Sequence, residues 1–174
     1  MNASAANLVG IIGITRRLVQ DGVLSEADAR SAQAEAAKDK RPIQKYLAEK
    51  KLVNSTQLAS AFSLEFGLPL FDLSAMDLSQ SLASLIPEDL ANKQQALPLQ
   101  RHGGKLFVAI AHPTNSDALD AVKFASNSIV EPVVVAEDAL RKALELAYNN
   151  PADTLDDSGD DDLINLETVG GDTE

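Results

Sequence analysis

The 174-residue sequence contains no cysteine, no tryptophan, only two histidines, and no apolar run near the ~20 residues a membrane-spanning helix needs. Without cysteine there can be no disulfide, iron–sulfur cluster or thiolate zinc site, and a reducing cytoplasm is the expected setting. Residues 8–14 are apolar, but the run is short and no basic residue precedes it, so it lacks a signal-peptide layout. Basic residues are scarce: 15 Lys+Arg face 26 Asp+Glu, for a formal charge of −11. That balance argues against nucleic-acid binding, which relies on basic patches. The charge is unevenly spread. Residues 151–174 hold nine acids and no Lys or Arg, whereas residues 1–150 carry only −2. The acidity is thus mostly a tail, which reads as solvated linker, attached to a body that is 150 residues long and rich enough in apolar side chains to bury a core. That body forms one domain or two small lobes.

The first third contains a repeat. LVQDGVLSEADARSA (18–32) and LAEKKLVNSTQLASA (47–61) align at an offset of 29, matching Leu18 with Leu47, Leu24 with Val53 and Ala32 with Ala61. Each copy runs from the end of one helix through a corner into the start of the next. Ser25 and Asn54 are N-caps with Asp28 and Gln57 three residues on, a capping-box spacing. Gly22 is a natural C-cap, and Lys51 takes its place in the second copy, where it must strain or close the corner differently. Four helices are predicted, near 10–21, 26–38, 43–50 and 55–66, with Pro42 suited to a first helical turn. Leu18, Leu47, Leu58, Ala61 and Phe62 are the expected core. Six bases (Lys38, Lys40, Arg41, Lys45, Lys50, Lys51) fall within fourteen positions, either a solvated corner or a site for an anion or acidic partner.

From Gly67 the texture changes. GLPLFDL predicts a short strand or extended crossing, residues 78–95 a helix restarted at Pro87, and ALPLQRHGGKLFVAIA a hairpin joined by Arg101–Gly104. A helix capped by Asn115 or Ser116 follows, with Leu119, Val122 and Phe124 as its apolar positions. Residues 129–135 form a strand that Pro132 places at an edge or bulge, and residues 137–148 form an amphipathic helix. The fold class is α+β: a four-helix repeat lobe over 10–67, then a small three-stranded α/β lobe over 68–150. Residues 1–9 are expected to be disordered, and 151–174 to be a flexible linker.

No catalytic chemistry emerges. Gly103-Gly104-Lys105 lacks the remaining P-loop residues and sits in a hairpin, where it is a turn. His102 and His112 have no metal-ligand spacing, and Asp117 and Asp120 read as a solvated helix face. The chain is expected to be neither an enzyme nor a metal binder.

The order of features resembles the N-terminal region of PilB-type type IV pilus assembly (extension) ATPases, related to type II secretion ATPases. The resemblance rests on the paired repeat ending in FGLPLFDL, then ALPLQRHGGKLFVAIAHPTN, DALDAVKFAS and IVEPVVVAEDAL. It implies an ATPase core beyond a linker, with ATP, Mg and hexamer formation belonging to that core, and hence a chain that is part of a longer protein. It also implies a cytoplasmic domain at the inner-membrane pilus machine, with no membrane insertion of its own, serving twitching motility.

Some relatives bind cyclic di-GMP with an MshEN-like helical lobe through two copies of R-L-G-x-x-L-x-x-x-G. Here the first copy keeps Leu18 and Gly22 but has Gly13 at the arginine position and Thr15 at the first glycine. The second copy keeps Leu47 but has Pro42, Gln44 and Lys51 in place of the arginine and the two glycines. Both arginines are missing. Because the resemblance extends to members controlled by a PilZ-type adaptor, the leading expectation is that the helical lobe docks such an adaptor. Its face would comprise Val19, Val23, Leu24, Leu52 and Val53, edged by Arg16, Arg17, Lys50 and Lys51. The alternatives are direct cyclic di-GMP binding and a structural module that contacts the inner-membrane platform or other pilus assembly proteins. In the tail, Leu163, Ile164, Leu166 and Val169 interrupt the acids and are candidates for a short docking element.

Overall fold

Helix ends, more than helix interiors, organise the first half of the chain. The computed structural model describes residues 8–149. In it α1 (Gly13–Gln20), α2 (Glu26–Lys38), α3 (Ile43–Glu49) and α4 (Ser55–Phe66) occupy the four predicted helical segments. At the end of α1 the Val23 N–H donates to the Leu18 carbonyl (2.9 Å) and the Gly22 N–H to Val19 (3.1 Å). The repeat reproduces this pair at the end of α3, from Leu52 to Leu47 and from Lys51 to Ala48, both at 3.0 Å. α2 closes the same way through Arg41 to Ala36 and Lys40 to Ala37. This double closure needs a left-handed residue just past the helix. Gly22 supplies it at φ 71°, but Lys51 and Lys40 are forced to φ 54° and 52°. The corner of the second copy is therefore closed in the same way as the first, with strain.

A side chain in that region costs about 1–2 kcal/mol, of which glycine's greater freedom in the unfolded chain takes back up to about 1. Lys51→Gly is accordingly expected to stabilise the protein by roughly 0.5–1 kcal/mol. A higher denaturation midpoint at unchanged slope would show it.

The starts of α2 and α4 follow the cap pattern. Ser25 Oγ accepts from the Asp28 N–H at 3.1 Å. Asn54 and Gln57 form a reciprocal box, with bonds of 2.8 and 3.0 Å. The matched repeat residues Leu18/Leu47, Leu24/Val53 and Ala32/Ala61 are all buried in one core, together with Leu58 and Phe62. Leu8 packs against this same core, so the lobe begins earlier than residue 10.

After Gly67 (φ 65°) the chain crosses to the second lobe. The Phe71 N–H donates to the Val134 carbonyl (2.9 Å) and the Val134 N–H to Pro69 (2.8 Å), which makes the extended crossing a short parallel bridge. Residues 78–95 depart from the helix expected there. Leu73–Ala75, Leu78–Gln80 and Ala83–Leu85 are single 3-10 turns, and only α5 (Glu88–Gln94) is α-helical. The cause lies in the repeated Asp-Leu-Ser of DLSAMDLSQ. Asp72 and Asp77 each accept from the N–H and hydroxyl of the serine two residues on, at 2.7–3.0 Å. Such local bonds compete with helix propagation.

The sheet has order β1-β2-β3, with β1 (Ala96–His102) antiparallel to β2 (Lys105–Ile110) and β2 parallel to β3 (Ile129–Val134). The hairpin connection is two residues rather than four. Gly103 and Gly104 both have positive φ, and His102 already pairs with Lys105. β1 bulges between Pro98 and Gln100, and both prolines, Pro98 and Pro132, lie on edge strands. α6 (Ser116–Ser126), capped by Asn115, makes the crossover from β2 to β3. It buries Ala118 and Val122, but Phe124, expected on the apolar face, is 91% exposed. Two residues past Val122 it has turned about 200° to the opposite side of the helix.

α7 (Glu137–Tyr148) closes the lobe with Leu140, Ala143 and Leu144 inward. The Tyr148 hydroxyl donates to the Ala83 carbonyl at 2.8 Å. Burial pushes its pKa up to about 12, with the Glu88 charge adding to the effect. The two lobes meet along β3: Val133 and Val135 face the α/β core while Val134 enters the helical core.

The same hydrogen bonds give a pH dependence. Asp72 and Asp77 are held below the ordinary 3.8 by the bonds from Ser74 and Ser79, and Asp138 by the Ser55 hydroxyl. Because the folded pKa values are depressed, this stabilisation is present above 3.8 and is lost as pH falls through the lower folded values. Melting temperature is expected to drop more steeply below about pH 4 in the wild type than in an Asp72→Asn/Asp77→Asn variant.

Candidate functional site

The helical repeat carries every residue that the sequence assigned to adaptor or nucleotide binding, and its geometry sorts them; the tail candidates Leu163, Ile164, Leu166 and Val169 lie outside the described residues. Val19, Leu24 and Val53 are buried core. They are thus unavailable as the apolar centre of a docking face. Leu24 and Val53 precede the N-caps of α2 and α4, while Ala29 and Leu58, four residues into those helices, are buried in the same cluster, the arrangement of a hydrophobic staple. Val23 and Leu52 pack partly buried against that core, at the position that contacts the third-last helical residue when a helix closes in this way. These apolar groups are thus explained by the corners they build.

What the corners present to solvent is charge. Arg16, Lys50 and Lys51 are exposed. Arg17 is half-buried and pairs with Asp21 at 3.1 Å. Lys50 stands 5.7 Å from the Tyr46 ring centroid, and Arg41 pairs with Glu49 at 2.6 Å. The Tyr46 hydroxyl donates to the Glu35 carboxylate, linking α2 to α3. That bond, then burial, raises the tyrosine's pKa. Lys38 and Lys50 sit at helix C-termini, where the helix dipole favours cations, so part of the basic cluster has a local structural reason.

The degenerate nucleotide-motif positions lie at matched places in the repeat. Gly13 is the first residue of α1 and Pro42 the N-cap of α3. Thr15 is buried, its hydroxyl donating to the Ile12 carbonyl at 2.6 Å, and Gly22 closes α1. Pro42 and Gln44 line a cleft of about 540 Å³ whose opposite wall is His112, Glu137 and Arg141 of the second lobe. Gly13 and Thr15 are not among its lining residues. Glu137 approaches His112 Nε2 at 3.5 Å and Arg141 at 3.4 Å, and the His112 ring meets Phe62 edge-on at 6.2 Å. Sequence spacing could not have found this wall, because about seventy to a hundred residues separate its members from Pro42. In the cleft Lys45 and Arg141 are matched by Glu49 and Glu137, so it lacks the surplus of cations that would draw a polyanion.

Among the described residues no group of three or more His, Cys, Asp or Glu could hold a metal ion, and no helix is long and apolar enough to cross a membrane. No P-loop pattern occurs anywhere in the 174 residues.

Residues 66–154, just over half of the chain, match the model of the MshEN domain. The chain belongs to the MshEN domain family. The match covers the α/β lobe, whereas the sequence resemblance attached the same name to the helical repeat. Two relatives are type IV pilus assembly ATPases PilB. That of Pseudomonas aeruginosa is 32% identical over 164 residues, covering 94% of this chain and 29% of the relative. That of Acinetobacter baylyi is 36% identical over 150 residues, covering 83% and 26%. This chain therefore spans just over a quarter of their length. Among solved structures it is similar to MshE with cdg (26% identity, TM-score 0.66, covering 79% of this chain and 99% of that one). It also shares the fold of the N-terminal domain of XpsE (20% identity, TM-score 0.64, covering 83% and 97%). The α+β fold agrees with the sequence reading, and the PilB relatives agree with the family it resembled.

Proposed function

We propose that this domain is a regulatory protein-docking module of a type IV pilus assembly ATPase, receiving a PilZ-type adaptor that couples cyclic di-GMP signalling to pilus extension at the cytoplasmic face of the inner membrane. One observation carries the reading. The helical repeat has its corners and core, yet the two matched positions at the starts of α1 and α3 where the nucleotide pattern requires arginine hold Gly13 and Pro42. A frame retained without its ligand-contacting charges suits a lobe read by another protein. The PilB relatives supply the pilus context.

With the candidate apolar residues drawn into the core, the docking energy falls to the exposed rim: Arg16, Lys50 and Lys51 around the half-buried Val23 and Leu52. Calorimetry of the chain with a purified PilZ-type adaptor should give a complex at tens of micromolar or tighter, and Lys50→Glu/Lys51→Glu should weaken it at least tenfold. No heat and no complex in that range would refute the proposal.

A second reading, direct binding of cyclic di-GMP, is favoured by the cleft at Pro42 and Gln44 and by the similarity to MshE with cdg. Titration with that nucleotide alone separates the two. Saturable spectral shifts confined to the first turn of α3 and the wall at Arg141 would support direct binding.

A further inference from the structure

A second cleft, of about 620 Å³, lies on the other side of α7, between it and α4. Its floor is made of small side chains, Ala59 of α4 with Ala139 and Ala143 of α7. Leu70, Phe71 and Leu146 line it too, with 50%, 36% and 65% of their surface exposed. An alanine floor beneath exposed large apolar groups forms a trough of the kind that takes the side chains of an extended or helical segment. Lys142 is the cation of its lining. Asp72 is engaged by Ser74, and Asp138 by Ser55 and the Ala139 N–H.

We infer that this cleft is occupied in cis by residues 163–169 of the same chain, LINLETV, which lie outside the described residues. Three arguments select that occupant. The first is composition: within the acidic stretch 151–174, Leu163, Ile164, Leu166 and Val169 place four apolar residues within seven sequence positions, which a purely solvated linker does not need. The second is reach. Fourteen residues separate Tyr148 from Leu163, and a coil of that length spans about 20 Å. The cleft runs beside α7 from Ala136 to Leu146, about 15 Å of helix. The segment thus meets the cleft at an effective concentration on the order of millimolar, so even weak contacts hold it. The third is charge. Glu167, in the middle of the cluster, can face Lys142, while the acids ahead of Leu163 stay in solvent, away from a lobe (68–150) that is itself at −4. A second copy is a poor occupant, because each chain carries −11 and the two tails repel.

The absence of cysteine makes the test clean. Thr168→Cys carrying a nitroxide label, in the full 174-residue chain, should broaden the amide signals of Ala139, Ala143 and Leu146 at least twofold more than those of Gly103 and Gly104 at the hairpin. Leu163→Asp/Leu166→Asp, placed in the tail so that the folded lobes are untouched, should abolish the difference. Uniform or absent broadening would overturn the proposal. So would broadening that persists when labelled chain is mixed with unlabelled isotope-enriched chain, since that would make the occupant a second copy.

Discussion

Val134→Asp is expected to cost at least about 4 kcal/mol and to leave little or no cooperative unfolding transition, because it would put an unpaired carboxylate into a core that excludes water. Val134 is fully buried, belongs to the helical core although it lies on β3, and exchanges backbone bonds with Pro69 and Phe71 at the crossing. One residue therefore takes part in the helical core, the sheet and the chain crossover. Val134→Ala, which removes only apolar volume, should cost about 2 kcal/mol and keep a single transition. Urea unfolding followed by circular dichroism measures both. A change below 1 kcal/mol for the aspartate variant would mean that the lobes are not joined through this strand.

The parts of this architecture written in short-range patterns were legible in advance. The repeat offset placed four helices, because caps and corners depend on residues within a few positions of one another, as Ser25–Asp28 and Asn54–Gln57 do. Gly103-Gly104 marked the hairpin for the same reason. Two kinds of feature escaped. One is competition between equally local bonds: the Asp-Leu-Ser pairs replaced the helix expected from residue 78 with separate turns, and apolar content alone does not reveal that. The other is convergence of distant segments. The wall of His112, Glu137 and Arg141 opposite Pro42, and the sharing of Val134 between cores, exist only once the lobes are packed.

The candidate docking residues show a deeper ambiguity. An apolar residue beside a helix corner is expected both in a binding face and in the corner's own closure. Leu24 and Val53, at matching repeat positions, illustrate it: both are apolar in sequence and both are buried at the staple position. Only burial separates the two roles, and burial is not a property of the local sequence. Among the exposed charges, Lys51 accepts a left-handed backbone that glycine would hold more cheaply. Lys40 closes α2 with the same strain at φ 52°, so the strain by itself does not mark Lys51 for a role outside the fold.

The proposal that lost arginines ended nucleotide binding predicts that restoring them brings it back. Gly13→Arg/Pro42→Arg should bind cyclic di-GMP at least about 100-fold more tightly than the wild type. Each charge-assisted arginine–phosphate contact contributes about 1.5–3 kcal/mol, and solvent screening at these exposed positions takes part of that away. The positions can accept the change. Pro42 has φ −58°, which suits arginine, and a Cβ placed on Gly13 meets nothing within 4 Å. Gly13 does sit at φ 59°, so the variant should lose roughly 0.5–1 kcal/mol of stability there, net of glycine's greater freedom in the unfolded chain, while gaining affinity. The two effects separate in measurement: thermal unfolding reads the strain and calorimetric titration reads the ligand. Adaptor binding should be largely preserved, because Arg16, Lys50 and Lys51 are unchanged. If the wild type binds the nucleotide as tightly as the double variant, the arginines are not what the site lacks, and direct nucleotide sensing becomes the better account of the helical lobe.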